Sequence, residues 1–128
     1  MSILLDTQIF LWYISRDSRL SVSILQAIRD PANTVFVSVV VIWEAIIKYQ
    51  LGKLPLPQPP HLYLPEQRKL HQMASLPVDE ACVVQLGKLP SVHRDPFDRL
   101  IICQAIEYNL TLATADDAMK QYPVKLLL

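Results

Sequence analysis

Ile3-Leu4-Leu5-Asp6-Thr7 is a short apolar run stopped by an acid. Three consecutive apolar residues without polar alternation describe a strand covered on both faces, the habit of parallel sheets. Outward from it, Gln8 to Tyr13 is helical in pattern, and Ser21 caps a second helix ending at Arg29. Asp30-Pro31-Ala32-Asn33 is a turn, and the β-branched and aromatic Thr34-Val35-Phe36-Val37 is the second strand. Ser38 caps a helix carrying Trp43, Glu44 and Lys48, which stops at Gly52.

Residues 53–65 read as a linker-like loop or arm, because four prolines between Pro55 and Pro60 oppose both helix and central strand. A helix over Glu66 to Ala74, an edge strand at Leu76-Pro77-Val78 and a helix capped by Asp79 follow. Asp95 and Pro96 then form an N-cap and first helical position, with Leu100, Ile101, Ala105 and Leu110 facing inward and Arg99, Gln104 and Glu107 wet. Leu110 to Thr114 is a strand, Asp116-Asp117 opens a short helix to Tyr122, and Val124 to Leu128 is the last strand. Strands alternating with helices predict an α/β fold with right-handed crossovers.

The composition fits one domain over residues 1–128, of which 52% are hydrophobic and only 2 are glycine. Zero net charge and a pI near 6.8 argue against a broad basic surface wrapping nucleic acid, though not against a local site. Cys82 and Cys103 form no metal-binding pair and read as buried thiols. The start of the chain lacks the basic region of a signal peptide. The most apolar window, Val35 to Trp43, is too short to span a bilayer. A cytoplasmic protein with no membrane association is expected.

Ligands of an open parallel sheet bind beyond the carboxyl ends of its strands. Asp6 ends the first strand, Asp116 follows the strand Leu110 to Thr114, Glu44 lies in the helix after the second strand, and Asp98 opens the helix feeding Leu110 to Thr114. Each also has an ordinary reading. Asp6 and Asp116 are good helix caps, Asp98 suits a helix dipole, and Glu44 and Lys48 form an i,i+4 pair. If the four converge, their mutual repulsion of several kcal/mol per close pair calls for a cation. All-oxygen ligands favour Mg²⁺ or Mn²⁺ over zinc.

With those residues placed, the chain resembles the PIN-domain family, and within it the VapC-type ribonuclease toxins of bacterial VapBC pairs. The resemblance rests on Leu4-Leu5-Asp6-Thr7, on Trp43-Glu44-Ala45-Ile46-Ile47-Lys48 with Leu51-Gly52-Lys53-Leu54, on Arg94-Asp95-Pro96-Phe97-Asp98-Arg99-Leu100-Ile101 with Gln104-Ala105, and on Leu112-Ala113-Thr114-Ala115-Asp116-Asp117. It implies a PIN-like three-layer fold with a central parallel sheet of four to five strands flanked by helices. It further implies an acidic pocket for Mg²⁺ or Mn²⁺ built from Asp6, Glu44, Asp98 and Asp116. Thr114, Arg99 and Arg94 are auxiliary candidates, and Asp95 is left as the cap. The implied partners are an RNA substrate, a cognate antitoxin in a groove beside the pocket, and a second copy in a homodimer.

The expected activity is metal-dependent hydrolysis of RNA phosphodiester bonds, with Asp6, Asp98 and Asp116 holding one or two cations and Glu44 orienting a water or binding the metal through it. Lys48, Lys53, Arg94 and Arg99 are candidates for phosphate contacts, Lys53 being the one best read as plain surface charge. His93 reads as an exposed loop histidine. The alternative is a catalytically inert PIN-like module that acts by binding a protein or RNA partner; four intact acids weigh against it. A receiver-type signalling domain would need a second acid beside Asp6, which the chain lacks.

Overall fold

Ile3, Leu4 and Leu5 have no exposed surface in the computed structural model of the chain, which describes residues 1–91 and 95–128. They make up most of β1 (Ser2–Leu5). Burying each of these side chains contributes about 1.5–3 kcal/mol, so this strand fixes the centre of the molecule.

From β1 the chain enters α1 (Thr7–Ser15) and α2 (Val22–Arg29), then β2 (Thr34–Ser38) and α3 (Val39–Gln50). It continues through α4 (Pro60–Leu70), β3 (Ala74–Leu76) and α5 (Glu80–Gln85), and α6 (Pro96–Glu107) leads into β4 (Thr111–Ala113) and β5 (Leu126–Leu127). The sheet order is β3-β2-β1-β4-β5 and every pairing is parallel. Among the described residues, six helices flank this five-stranded sheet, as the fold class expected.

Two features of this topology position the site. The chain leaves β1 towards β2 and β3, then returns to lay β4 on the other side of β1. That reversal opens a crevice at the carboxyl ends of β1 and β4. The register then sets what meets there. Leu5 is opposite both Val37 and Ala113, so Asp6, Ser38 and Thr114 come off their strands at one level. The Asp6 N–H donates to the Ala113 carbonyl at 3.1 Å, which carries the pairing to the rim.

The expected caps at Ser21, Ser38, Asp79 and Asp95 are all in place. Gly52, at φ +71, takes the left-handed position that ends α3. Cys82 and Cys103 are free and buried.

Three local expectations are corrected. α4 begins inside the proline-rich segment, with Pro59 as N-cap and Pro60 in the first turn, where no backbone donor is needed. It also runs through Pro65, a break in the ladder of about 3 kcal/mol that is offset by burial of Leu64 beside it. The edge strand lies at Ala74–Leu76 and stops before Pro77, which has no N–H for the ladder. Gln104, expected to be wet, is fully buried and donates from Nε2 to the Pro77 carbonyl at 2.9 Å. Polarity alone could not reveal that the turn after β3 needs a donor from α6.

Among the described residues, no helix is long and apolar enough to cross a membrane.

Candidate active site

Asp6 serves two ends at once. As N-cap of α1 its carboxylate accepts the Ile9 N–H at 2.9 Å, and it forms part of the wall of a cavity at the β1–β4 crevice. That cavity, about 270 Å³, is lined by Asp6, Thr7, Gln8, Leu11, Glu44, Lys48, Lys53, Leu54, Asp95, Asp98, Asp116 and Met119. The four acids singled out in the sequence thus share one cavity, with Asp95 as a fifth.

Each arrives for a local reason. α6 precedes β4, so its N-terminus starts at the carboxyl side of the sheet. Asp95 caps it, accepting from the Phe97 and Asp98 N–H groups at 2.9 and 3.3 Å, and Asp98 follows in the first turn. Asp116 caps the short helical turn Asp117–Gln121, accepting the Ala118 N–H at 2.9 Å. Asp117 is not part of the cavity wall and pairs with Lys120 at 3.1 Å.

Glu44 sits midway along α3 and is 3% exposed. Both of its oxygens are engaged. The Thr7 hydroxyl donates to Oε1 at 2.6 Å and the Lys48 ammonium to Oε2 at 2.5 Å. The i,i+4 pair expected on a solvated face therefore exists, but its acid is buried and only its lysine reaches water. The Glu44 hydrogen bond holds the Lys48 ammonium above the usual lysine range, with attraction to Glu44, Asp95 and Asp98 adding to it.

Thr114 is fully buried beneath the cavity rather than on its wall. Its hydroxyl accepts the Asp116 N–H at 3.0 Å and is hydrogen-bonded to the Asp6 carboxylate. One side chain thus ties the two acids that end β1 and follow β4.

Burial pushes the Asp6 carboxyl up to about 6 from 3.8, against the hydrogen bonds from Thr114 and Ile9, and the charges of Asp116 and Glu44 push it further the same way. Asp6 is 5% exposed and forms no ion pair among the described residues. A buried carboxylate repelled by its neighbours is the electrostatic deficit that a cation relieves, and the donors are all oxygen. The residues therefore fit a hard divalent cation. As the side chains stand, no three His, Cys, Asp or Glu among the described residues already form an ion site.

The auxiliary candidates separate. The Arg99 guanidinium donates to the Pro90 carbonyl at 2.9 Å and is not on the cavity wall. His93 and Arg94 lie outside the described residues. Lys48 and Lys53 both line the cavity. Thr7, to which the sequence assigned no role, is the residue that anchors Glu44. Its only sequence signal was its place next to Asp6, which a first helical turn explains equally well.

Beside the cavity, and sharing Gln8, Leu11 and Leu54 with it, runs a more apolar groove of about 420 Å³. Trp12, Pro55, Leu56, Pro57 and Tyr63 help to form it, so the proline-rich segment is one of its walls.

Comparison with known proteins agrees with this architecture. A family model described as PIN domain matches residues 3–125. Ribonuclease VapC16 of Mycobacterium tuberculosis is 37% identical over 54 residues, a match spanning 42% of this chain and 38% of that relative. Among solved structures, VapBC2 from Rickettsia felis, bound to a DNA fragment from its promoter, superposes with a TM-score of 0.74 at 20% identity, over 99% of this chain and 98% of that one. DNA-bound VapBC from Salmonella typhimurium gives 0.70 at 16% identity, over 99% and 97%. At these identities the superpositions speak for the fold.

Proposed function

Because the chain belongs to the PIN-domain family, we propose that it is a metal-dependent endoribonuclease acting as the toxin of a toxin–antitoxin pair. The observation that carries this reading is the convergence of Asp6, Glu44, Asp98 and Asp116 on one cavity at the switch point of the sheet. The partial match to a ribonuclease toxin supports the substrate class.

In this reading Asp6, Asp98 and Asp116 hold Mg²⁺ or Mn²⁺. The bound ion supplies a Lewis acid at the phosphodiester and acidifies water. Hydrolysis adds water across a P–O bond: the water oxygen joins phosphorus, and a proton goes to the departing ribose oxygen. Glu44, anchored through Oε1 by Thr7, would orient the water and take its proton at Oε2 once the Lys48 ammonium leaves that oxygen. Thr114 holds Asp6 and the Asp116 backbone in mutual register. Lys53, read from the sequence as plain surface charge, lines the cavity and is therefore taken as a phosphate contact. Zero net charge suits a short single-stranded or looped RNA segment better than a long duplex.

The apolar groove along α1 and the proline-rich wall is the place for an antitoxin segment, beside the acids it would silence. The solved neighbours, several of which are VapBC assemblies, support such a partner. A homodimer acting in the cytoplasm completes the reading.

The test is cleavage of RNA pools by the purified, folded chain with Mg²⁺ or Mn²⁺, run beside EDTA and beside Asp98→Asn. Cleavage lost in both controls supports the nuclease and places Asp98 in its machinery. No cleavage in any lane favours a binding module with an inert pocket.

A further inference from the structure

Glu44 is a buried acid of the cavity with a cation already on it. The Lys48 ammonium stands 2.5 Å from Oε2, one helical turn along α3. The lysine side chain is 46% exposed, whereas the glutamate side chain is 4% exposed. Lys48 thus reaches the cavity from the solvent side, and its ammonium is the exposed member of the pair. Glu44 cannot follow it outward, because Thr7 holds the other oxygen at 2.6 Å from within the protein. The oxygen that Lys48 covers is the one left for any further ligand. Lys48 also shares the cavity wall with Asp95 and Asp98, so its charge offsets more than one acid.

From this we infer that Lys48 is a built-in counter-cation: it occupies the acidic cavity of the metal-free protein and must leave Glu44 Oε2 before a divalent cation is bound at full strength. The inference rests on the cation site proposed above. Its physical basis is simple. A buried carboxylate stripped of its partner is strongly unfavourable, so the metal-free chain needs a positive charge at this position. A fixed positive charge beside a divalent cation is unfavourable in turn, so the two exclude each other and the exclusion is reciprocal. The exposed stem of Lys48 lets it swing into solvent or onto a substrate phosphate when the ion enters.

The experiment is calorimetric titration of Mn²⁺ into the full chain, together with thermal melting in EDTA, for the wild type, Lys48→Met and Lys48→Arg. Lys48→Met keeps the length and removes the charge. It is expected to bind Mn²⁺ about tenfold more tightly than the wild type, within the usual range for coupled sites, while melting lower in EDTA. Lys48→Arg should stay near the wild type in both. Because Lys48→Met could fail to fold without metal, the double variant Glu44→Gln with Lys48→Met removes the buried charge as well, and its melting in EDTA should recover. Unchanged or weaker Mn²⁺ binding by Lys48→Met, with normal binding by the wild type, overturns the inference alone. Absence of Mn²⁺ binding by the folded wild type overturns the cation site with it.

Discussion

The rings of Trp43 and Phe97 meet edge to face with centroids 4.8 Å apart. Trp43 precedes Glu44 on α3, and Phe97 precedes Asp98 on α6, so this contact clamps the two helices that carry one cavity acid each. The indole is 51% exposed although the next residue, Glu44, is nearly inaccessible, because neighbouring helix positions face different ways. Phe97→Leu keeps apolar bulk but loses the ring contact, worth about 0.5–1.5 kcal/mol beyond its area. Cleavage should fall about tenfold or more through misplacement of Asp98, while the melting temperature drops only a few degrees. Parallel rate and melting measurements check this; an unchanged rate would make the clamp irrelevant to the site.

Asp95 and Asp98 both line the cavity, but Asp95 also caps α6. Asp95→Ser preserves the cap and removes the charge. If Asp98 is the ion-holding acid of this helix, Asp95→Ser should retain cleavage within about tenfold, whereas Asp98→Asn should lose about a hundredfold or more. Rates for the two folded variants in one assay settle the assignment.

Asp6 gives a pH signature. Its carboxyl is raised from 3.8 to about 6 by burial, so between those values the folded chain holds a proton that the unfolded chain has released. The sign follows: as far as this group is concerned, the metal-free protein is most stable below pH 3.8 and loses stability as the pH rises through 6. The full effect is about 3 kcal/mol. Asp6→Asn still caps α1 but cannot ionise. In EDTA it should melt about 5 °C or more above the wild type at pH 8 and coincide with it near pH 4, while being inactive. Melting curves across that range test it, and a gap that does not grow with pH would refute it.

Thr114→Val removes the hydroxyl that Asp6 and the Asp116 N–H share. With that lowering contact gone, the Asp6 carboxyl should titrate higher still, moving the acidic limb of the cleavage profile to higher pH. At pH 7 the rate should fall by about 10–100-fold, the usual effect of losing an outer partner. Thr114→Ser should restore both the limb and the rate; a pH–rate series for the three chains is the measurement.

Much of this was legible from residue patterns. Ile3-Leu4-Leu5 announced a strand buried on both faces, and Ser21, Ser38, Asp79 and Asp95 marked helix starts that the structure keeps. The rule that ligands sit beyond the carboxyl ends of strands brings Asp6, Glu44 and Asp116 to one edge from the sequence, and Asp98 joins them because α6 starts at that edge. Other features depend on long-range contacts. Gln104 is polar, yet a carbonyl 27 residues away draws it inside. Pro65 reads as a helix breaker, yet Leu64 is buried firmly enough for the helix to continue. Thr7 gained meaning only when α3 was laid against α1, since its partner Glu44 is 37 residues away.

The carboxylates of Asp6, Asp95 and Asp116 start three helices as well as lining the cavity. Asparagine starts a helix as readily as aspartate does. A single-nucleotide codon change at any of these positions would therefore erase a charge without unfolding the chain. Where the charge is buried, as at Asp6, it would even leave a sturdier protein. Such a disarmed copy would keep its apolar groove and, under the proposed function, would still occupy an antitoxin. If the chain is the toxin proposed above, inactivation and persistence of the folded protein would be inherited together. A disarmed chain of this kind would act as a decoy, drawing antitoxin away from intact copies.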